Sequence, residues 1–509
     1  MKLNYKRTIL VGFAFFLISA FWQAYDAIVP LILTNHFGLP QTVSGVVMSV
    51  DNVLAVFMLP IFGAISDKVM SRFGRRTPFI VIGTLAAVLS FVLLTVVNGV
   101  QISSLVSADI VETYQGAAAT YASTVDQLNL DFTNGAITEA VKNAGLADAG
   151  AAFDAVKAAL RDEALALTLN NVWPLVGFIG VLLVVLVAMA TFRSPAVALM
   201  PDVTVKPLRS KANAIINLMG TAGGIIILAF SSVFDISGNP YMSYTWYVTV
   251  TCAVMLIGLG IFVFTVKEKR WSDEMEEATK ALGLEESVGE EVGEKRALDK
   301  AELKSLILIL ASVALWYIGY NSITSKYSVY SANVLGVNYG LTLIVAQAAA
   351  IVSYIPVGII ASKLGRRKTI LAGITMLSTA FFIGNFIGAG ASTLVMYPIF
   401  ALAGIGWATI NVNSFPMVVE LAKGGDVGKY TGYYYTASMA AQIVAPILSG
   451  ALYDLFDIFT GGNGMRIVFF AFGTIFVVLS FVTMFFVKHG DAKPERVGAL
   501  ESLSGADDN

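Results

Sequence analysis

The chain has 509 residues, of which 56% are hydrophobic and 13% charged, with a mean hydropathy of +0.74. A water-soluble globule of this length has no interior able to hide so much apolar surface, so the composition excludes a soluble enzyme and calls for lipid. The net charge of −2 offers no basic surface for nucleic acid, and the lone cysteine, Cys252, excludes a disulfide framework or a zinc cluster.

Twelve apolar runs follow in chain order, near residues 8–33, 41–66, 77–98, 171–198, 211–234, 243–266, 303–330, 340–362, 368–389, 392–418, 430–454 and 465–488. Each is long enough to cross a hydrocarbon core of ~30 Å, which takes ~20 helical residues. Backbone polar groups find no water there, and the runs are far too long for barrel strands, so helices are required. The first run, after Lys2, Lys6 and Arg7, is too long for the apolar region of a cleaved signal and is expected to remain as a span. The expected fold class is an all-α membrane protein of twelve transmembrane helices in two six-helix bundles, residues 1–266 and 303–488.

Three stretches lie outside the membrane in this reading. Residues 99–170 form an extracytoplasmic insert with nine acidic and three basic residues, patterned as short amphipathic helices from Ala147 to Leu167. It is a solvated cap or a substrate-capture element. Residues 267–302 make a charged cytoplasmic linker containing the acidic run Glu285 to Glu291, and residues 489–509 form a cytoplasmic tail. All but six of the 33 Lys and Arg residues fall on one side: Lys142, Lys157, Arg161 and Arg466 oppose them, and Arg193 and Lys326 lie inside runs. This asymmetry places both termini in the cytoplasm and fits an even number of spans.

The most specific segment is Gly63 to Ile80, GAISDKVMSRFGRRTPFI, a cationic loop between the second and third runs. It resembles the loop between helices 2 and 3 of major facilitator superfamily carriers, usually G-x-x-x-D-[RK]-x-G-R-[RK]. Gly74 follows Asp67 by seven positions rather than three. That longer form, with Ser71 to Arg76 followed by Pro78-Phe79-Ile80, resembles sucrose–proton symporters and, more loosely, glycoside–pentoside–hexuronide cation symporters. Residues 358–368 are a shortened second copy, and Met200-Pro201-Asp202 at the end of the fourth run is echoed by Val418-Val419-Glu420 at the end of the tenth. Such repeats build two bundles that rock around a midplane site. The resemblance implies gating roles for Asp67, Arg75, Arg76, Asp202, Arg366 and Glu420. Asp202 is expected to pair with Arg75 or Arg76 and latch the inner gate while the outer side is open; Glu420 is expected to pair with Arg366 or Arg367.

An ionisable side chain in hydrocarbon costs at least ~2.5 kcal/mol, so each is a functional candidate. Asp26 and Asp51 lie roughly 10 and 15 Å from the outer ends of the first two runs, at 1.5 Å per residue, and are expected to share one aqueous cavity. The alternative is a polar gap or a cap on an unwound turn near Pro30. A helix-1 acid in related sugar carriers supports Asp26 by resemblance. Arg193 is a relay partner or snorkels to the cytoplasmic face. Lys326, about one turn from the outer end of the seventh run, is expected to snorkel. The two histidines, His36 and His489, are assigned to loops or termini.

A sugar site needs aromatic faces and amides. The candidates are Trp22, Gln23, Tyr25, Asn217, Asn321, Gln347, Trp407, Asn411 and Gln442, supported by Asn213, Tyr317, Tyr320, Asn413, Tyr433, Tyr434 and Tyr435. Gly404 to Ala408, GIGWA, resembles a segment of the sucrose-type carriers. Singly, such residues serve more often as helix–helix contacts or belt aromatics than as ligands. The expectation is a non-enzymatic, proton-coupled symporter of a small sugar, an α-linked disaccharide such as sucrose or maltose. It is expected to be monomeric, without cofactor, metal or nucleic-acid partner, in a plasma membrane such as a bacterial inner membrane. The alternatives are a major facilitator exporter of drugs or metabolites and a non-transporting membrane sensor.

Overall fold

The computed structural model describes residues 3–205, 208–281, 298–388, 393–421 and 427–490. These residues are helical throughout, joined by short turns. The first group of spans is α1 (Tyr5–Leu31), α2 (Gln41–Lys68), α3 (Thr77–Ser107), α6 (Trp173–Asp202), α7 (Arg209–Val233) and α8 (Thr245–Thr265). Between α3 and α6 lie α4 (Ile110–Thr133) and α5 (Glu139–Asn170), and α9 (Glu268–Ala281) follows α8. The second group is α10 (Lys300–Thr324), the single turn α11 (Tyr327–Tyr330), α12 (Tyr339–Leu364), α13 (Arg366–Gly384), α14 (Thr393–Glu420), α15 (Val427–Thr460) and α16 (Gly464–Phe485). Ten helices among the described residues are long and apolar enough to cross a membrane; α12 carries a shorter apolar helical stretch, Tyr339–Tyr354, and α13 occupies the ninth expected run.

Local chemistry sets several ends. Asn4 caps α1 by accepting from the Arg7 backbone N–H at 3.2 Å, and Asp299 with Glu302 forms a reciprocal capping box on α10. Proline in the first turn opens α3 and α6, where its missing N–H costs nothing. The boundaries depart from the expected runs in four places. α1 continues as a π-helical turn, Ile32–His36, and α3 extends to Ser107. The insert forms two long helices of 24 and 32 residues rather than short ones. The seventh run breaks after Thr324, so Lys326 begins a separate turn. The acidic run 285–291 and residues 491–509 lie outside the described residues.

Within the first group, α1 packs on α7 and α8, α3 on α6 and α8, and α2 on α6. Within the second, α10 packs on α15 and α16, α14 on α12 and α13, and α13 on α16. The groups meet where α2 lies against α15, α7 against α12 and α11 against α1. The side bearing α4 and α5 is the insert side; the side bearing the start of α1, the loop after α2, and α9 is the terminal side. Hydrogen bonds between the groups gather at mid-depth and on the insert side, through Gln23, Asn35, Gln41, Thr42 and Ser237 of the first group. Toward the terminal side α2 exposes Phe57 and α15 exposes Tyr433 and Tyr435. The two groups are thus held together at mid-depth and on the insert side.

Candidate functional site

The cavity between the groups has two unlike walls. On the first, α1 brings Trp22 and Asp26 onto one face, because residues four apart share a helix side. α2 brings Asp51 within electrostatic reach of Asp26, and α6 brings Arg193 within reach of Asp51. The Arg193 guanidinium carbon lies 5.6 Å from the Trp22 ring centroid. Of the two readings of Arg193, the structure favours the partner: the group faces Asp51 and an indole, a favourable cation–π geometry. Asp26 instead faces the phenols of Tyr25, Tyr320 and Tyr339, and the other carboxylate.

The second wall is aromatic and uncharged. Tyr320 of α10 stacks on Trp407 of α14 at 3.7 Å between centroids, with planes 6° apart, while Tyr317 meets Trp407 edge-on at 5.3 Å. Tyr354 of α12 lies within reach of Asn411, and Tyr434 of α15 lies within reach of Tyr317 and bonds Ser414 at 2.9 Å. Gln347 Nε2 donates to Gln23 Oε1 at 2.9 Å, and Gln23 Nε2 donates to the Tyr339 hydroxyl at 3.2 Å. This amide bridge crosses between the groups.

The structure thus gathers Trp22, Gln23, Asp26, Asp51, Arg193, Gln347, Trp407 and Asn411 into one region. Other candidates fare differently. Tyr25 is fully buried with an unbonded hydroxyl, so it packs behind the carboxylates instead of offering a face to a solute. Asn321 spends an amide N–H on Tyr317 O at 2.8 Å and Gln442 on Ser438 O at 3.3 Å, bonds along their own helices. Asn217 is exposed on α7, where its backbone carbonyl accepts from the Thr221 hydroxyl at 3.0 Å. Tyr339 and Tyr354 were missed. Tyr354 lies in the eighth apolar run and Tyr339 just before it, where a tyrosine gives no signal that separates wall from belt.

Two corrections concern buried cations and rings. Lys326 does not snorkel. It is fully buried, with Nζ donating to Gln41 O at 3.2 Å, because the chain breaks at Thr324 and turns it inward against α2. His36 is no loop residue either. It ends the π-helical turn fully buried, 3.1 Å from Asn98 Oδ1 and 3.0 Å from Pro240 O, stacked on Tyr244.

The expected ion pairs at the terminal side are present. Arg75 Nη2 meets Asp202 at 2.8 Å and Arg76 Nε meets it at 2.7 Å; Arg76 also pairs with Asp67, and Arg366 with Glu420. Arg367 donates instead to Phe485 O. Each joins residues of one group, so rocking of the groups need not break it. A residue that the sequence reading passed over anchors the loop: Glu268, buried at the start of α9. It accepts from the backbone N–H groups of Arg75, Arg76 and Thr77 at 2.7, 2.8 and 2.7 Å and from the Thr77 hydroxyl at 2.7 Å. A carboxylate at a helix N-terminus satisfies unpaired donors and the helix dipole together. Gly74, at φ +113°, passes against Glu268 where a side chain would collide. An acid just beyond the sixth run, as Asp202 ends the fourth, was the available signal.

The profile of the Major Facilitator Superfamily matches residues 164–425 and 338–504, and that of MFS/sugar transport protein matches residues 10–115. The proton-associated sugar transporter A of Homo sapiens is 36% identical over 93 residues, 18% of this chain and 12% of that protein, and the Mus musculus form matches alike. The matched stretch is thus a small part of these relatives. The inward-open xylose transporter XylE from E. coli superposes with a TM-score of 0.52 at 13% identity, covering 98% of each chain. A bacterial homologue of the human drug peptide transporters gives 0.59 at 13% identity, covering 95% of this chain and 98% of its own. At such identities the likeness is one of fold. With the profile spanning more than half its length, this chain belongs to the Major Facilitator Superfamily of secondary transporters.

Proposed function

We propose that the protein is a proton-coupled importer of a small sugar, an α-linked disaccharide such as sucrose or maltose, working by alternating access. Residues 1–266 and 303–488 act as the rocking halves, 267–302 as the linker and 489–509 as a tail. The terminal side is the cytoplasmic face of a plasma membrane, and the protein works as a monomer. The sugar's apolar ring face lies on the aromatic wall at Trp407 and Tyr320, with Trp22 facing it from the other wall. Its hydroxyls exchange with the Gln23–Gln347 bridge and with Asn411. Asn217, Asn321 and Gln442 lie farther along the same helices as secondary contacts. Arg75, Arg76, Asp67, Asp202, Arg366 and Glu420 brace the cytoplasmic ends of the two halves.

One observation carries the coupling assignment. Asp51 has the Arg193 cation facing it, whereas Asp26 faces phenols and a second carboxylate. Among the described residues that it faces, an ionised Asp26 therefore has no counter-charge, and a proton is the simplest way to neutralise it before the site crosses the membrane. Asp51 and Arg193 tune that site as a fixed pair. The human relative carries both words, proton and sugar, in its name. The test is sugar addition to a weakly buffered suspension of energised cells expressing the protein. Alkalinisation with mono- or disaccharides supports the reading. Uptake driven equally by an imposed sodium gradient at fixed pH overturns the proton, and a response to cationic dyes but not to sugars overturns the substrate.

A further inference from the structure

The buried Lys326 takes no part in the site, yet it lies where the two groups meet on the insert side. Its ammonium donates to the Gln41 carbonyl at 3.2 Å, and Asp454 of α15 stands within electrostatic reach. Asp454 in turn grips the start of α2. Its Oδ1 accepts from the Gln41 N–H at 2.8 Å, and its Oδ2 accepts from the Thr42 N–H at 2.7 Å and the Thr42 hydroxyl at 2.6 Å. The residue before α2 is Pro40, which has no side-chain oxygen to cap the helix itself. A carboxylate from the other half thus supplies the N-terminal cap that α2 lacks.

The backbones touch beside this cluster. A Cβ on Gly45 would strike the Pro446 carbonyl, and one on Gly450 would strike the Gln41 carbonyl, so α2 and α15 close here with no side chain between them. Separation of the halves on the insert side must pull Asp454 off α2 and leave Lys326 without the Gln41 carbonyl. Both charges then return to water, so the cluster favours the closed form only to the extent that its bonds outdo hydration.

We propose that Lys326 and Asp454 are positioning residues of the transport cycle: a cation and a carboxylate of one half that hold the N-terminus of α2 in the other and set how often the insert side opens. This rests on the transport reading, but its test needs no sugar, so the two can fail separately. Ser44, fully buried in the α2–α15 seam, becomes the reporter as Ser44→Cys, and the natural Cys252 is buried away from reagent. A membrane-impermeant maleimide applied from the insert side should label the reporter slowly. Asp454→Asn and Lys326→Gln should each speed labelling about tenfold, the scale of one lost cap or charge-assisted bond. Asp454→Glu, which keeps the carboxylate, should restore the slow rate. Unchanged labelling in both neutral variants overturns the proposal, as does equal acceleration by Asp454→Glu. A variant that also labels at Cys252 has unfolded. Thr42→Val, which removes one bond and no charge, then decides: a rise of about threefold supports the latch and no rise overturns it.

Discussion

The two walls of the cavity solve different problems with different chemistry. The first holds two carboxylates and a guanidinium within reach of one another, in a setting where unpaired charge is expensive. The second holds stacked rings and a phenol–hydroxyl hydrogen bond with no ionised group among them. In the proposed function, charge sits where an ion is taken up and released, and flat apolar faces sit where a neutral polyol is held. The Gln23–Gln347 bridge joins the two walls, so under that proposal occupancy of the aromatic wall is expected to be felt beside Asp26. If this division holds, damage to the first wall uncouples transport and damage to the second weakens recognition.

The strongest break is Asp26→Asn. It should abolish accumulation against a gradient while leaving sugar binding or exchange in part, because asparagine keeps the shape and hydrogen-bonding edge but cannot cycle a proton. Counterflow and proton-flux assays on the same vesicles measure both. If Asp26→Asn still concentrates sugar with a normal pH profile and Asp51→Asn does not, the coupling role moves to α2.

Next in size is Arg193→Gln, which leaves Asp51 facing no cation. A broken buried pair costs about 3–5 kcal/mol, so the purified variant should melt well below the parent. Adding Asp51→Asn should recover much of that loss, and a thermal shift series on the two single variants and the double variant checks it. Absence of recovery would show that the two groups do not act as a pair.

On the other wall, Trp407→Ala removes the stacked ring. It should raise the half-saturating sugar concentration about tenfold, in line with ~1.5 kcal/mol for such a contact, with the proton-to-sugar ratio unchanged. A changed ratio would mean that the walls are not separable.

The smallest effect is expected at the terminal side. Arg76→Ala or Glu268→Gln should slow turnover a few-fold with sugar affinity nearly intact, since both act on the loop that joins α2 to α3, away from the cavity. Kinetics under both zero-trans and exchange conditions separate turnover from binding. A large loss of affinity in either variant would tie this loop to the site directly.

Much of this molecule is local and therefore readable along the chain. Apolar length fixes each span, since a helix in lipid must satisfy its own backbone, and the loop from Gly63 to Ile80 marks the superfamily by its residues alone. The costly residues Asp26, Asp51 and Arg193 stand out for the same reason, as any charge in hydrocarbon does. Which partner each one meets is not local. Lys326 reads as a snorkelling cation when only its distance from a helix end is known; the break after Thr324 and the approach of α2 bury it. Tyr25 reads as a sugar ligand by composition, but the helix turns its ring into the core. Asp454 and Glu268 each cap a helix far away in sequence, and Tyr354 joins the aromatic wall only because α12 lies against α14. Length and hydropathy are sums over neighbours in sequence, so the chain by itself determined the spans and the candidate charges. Pairing depends on directions and distances between separate helices, and only their packing decided it.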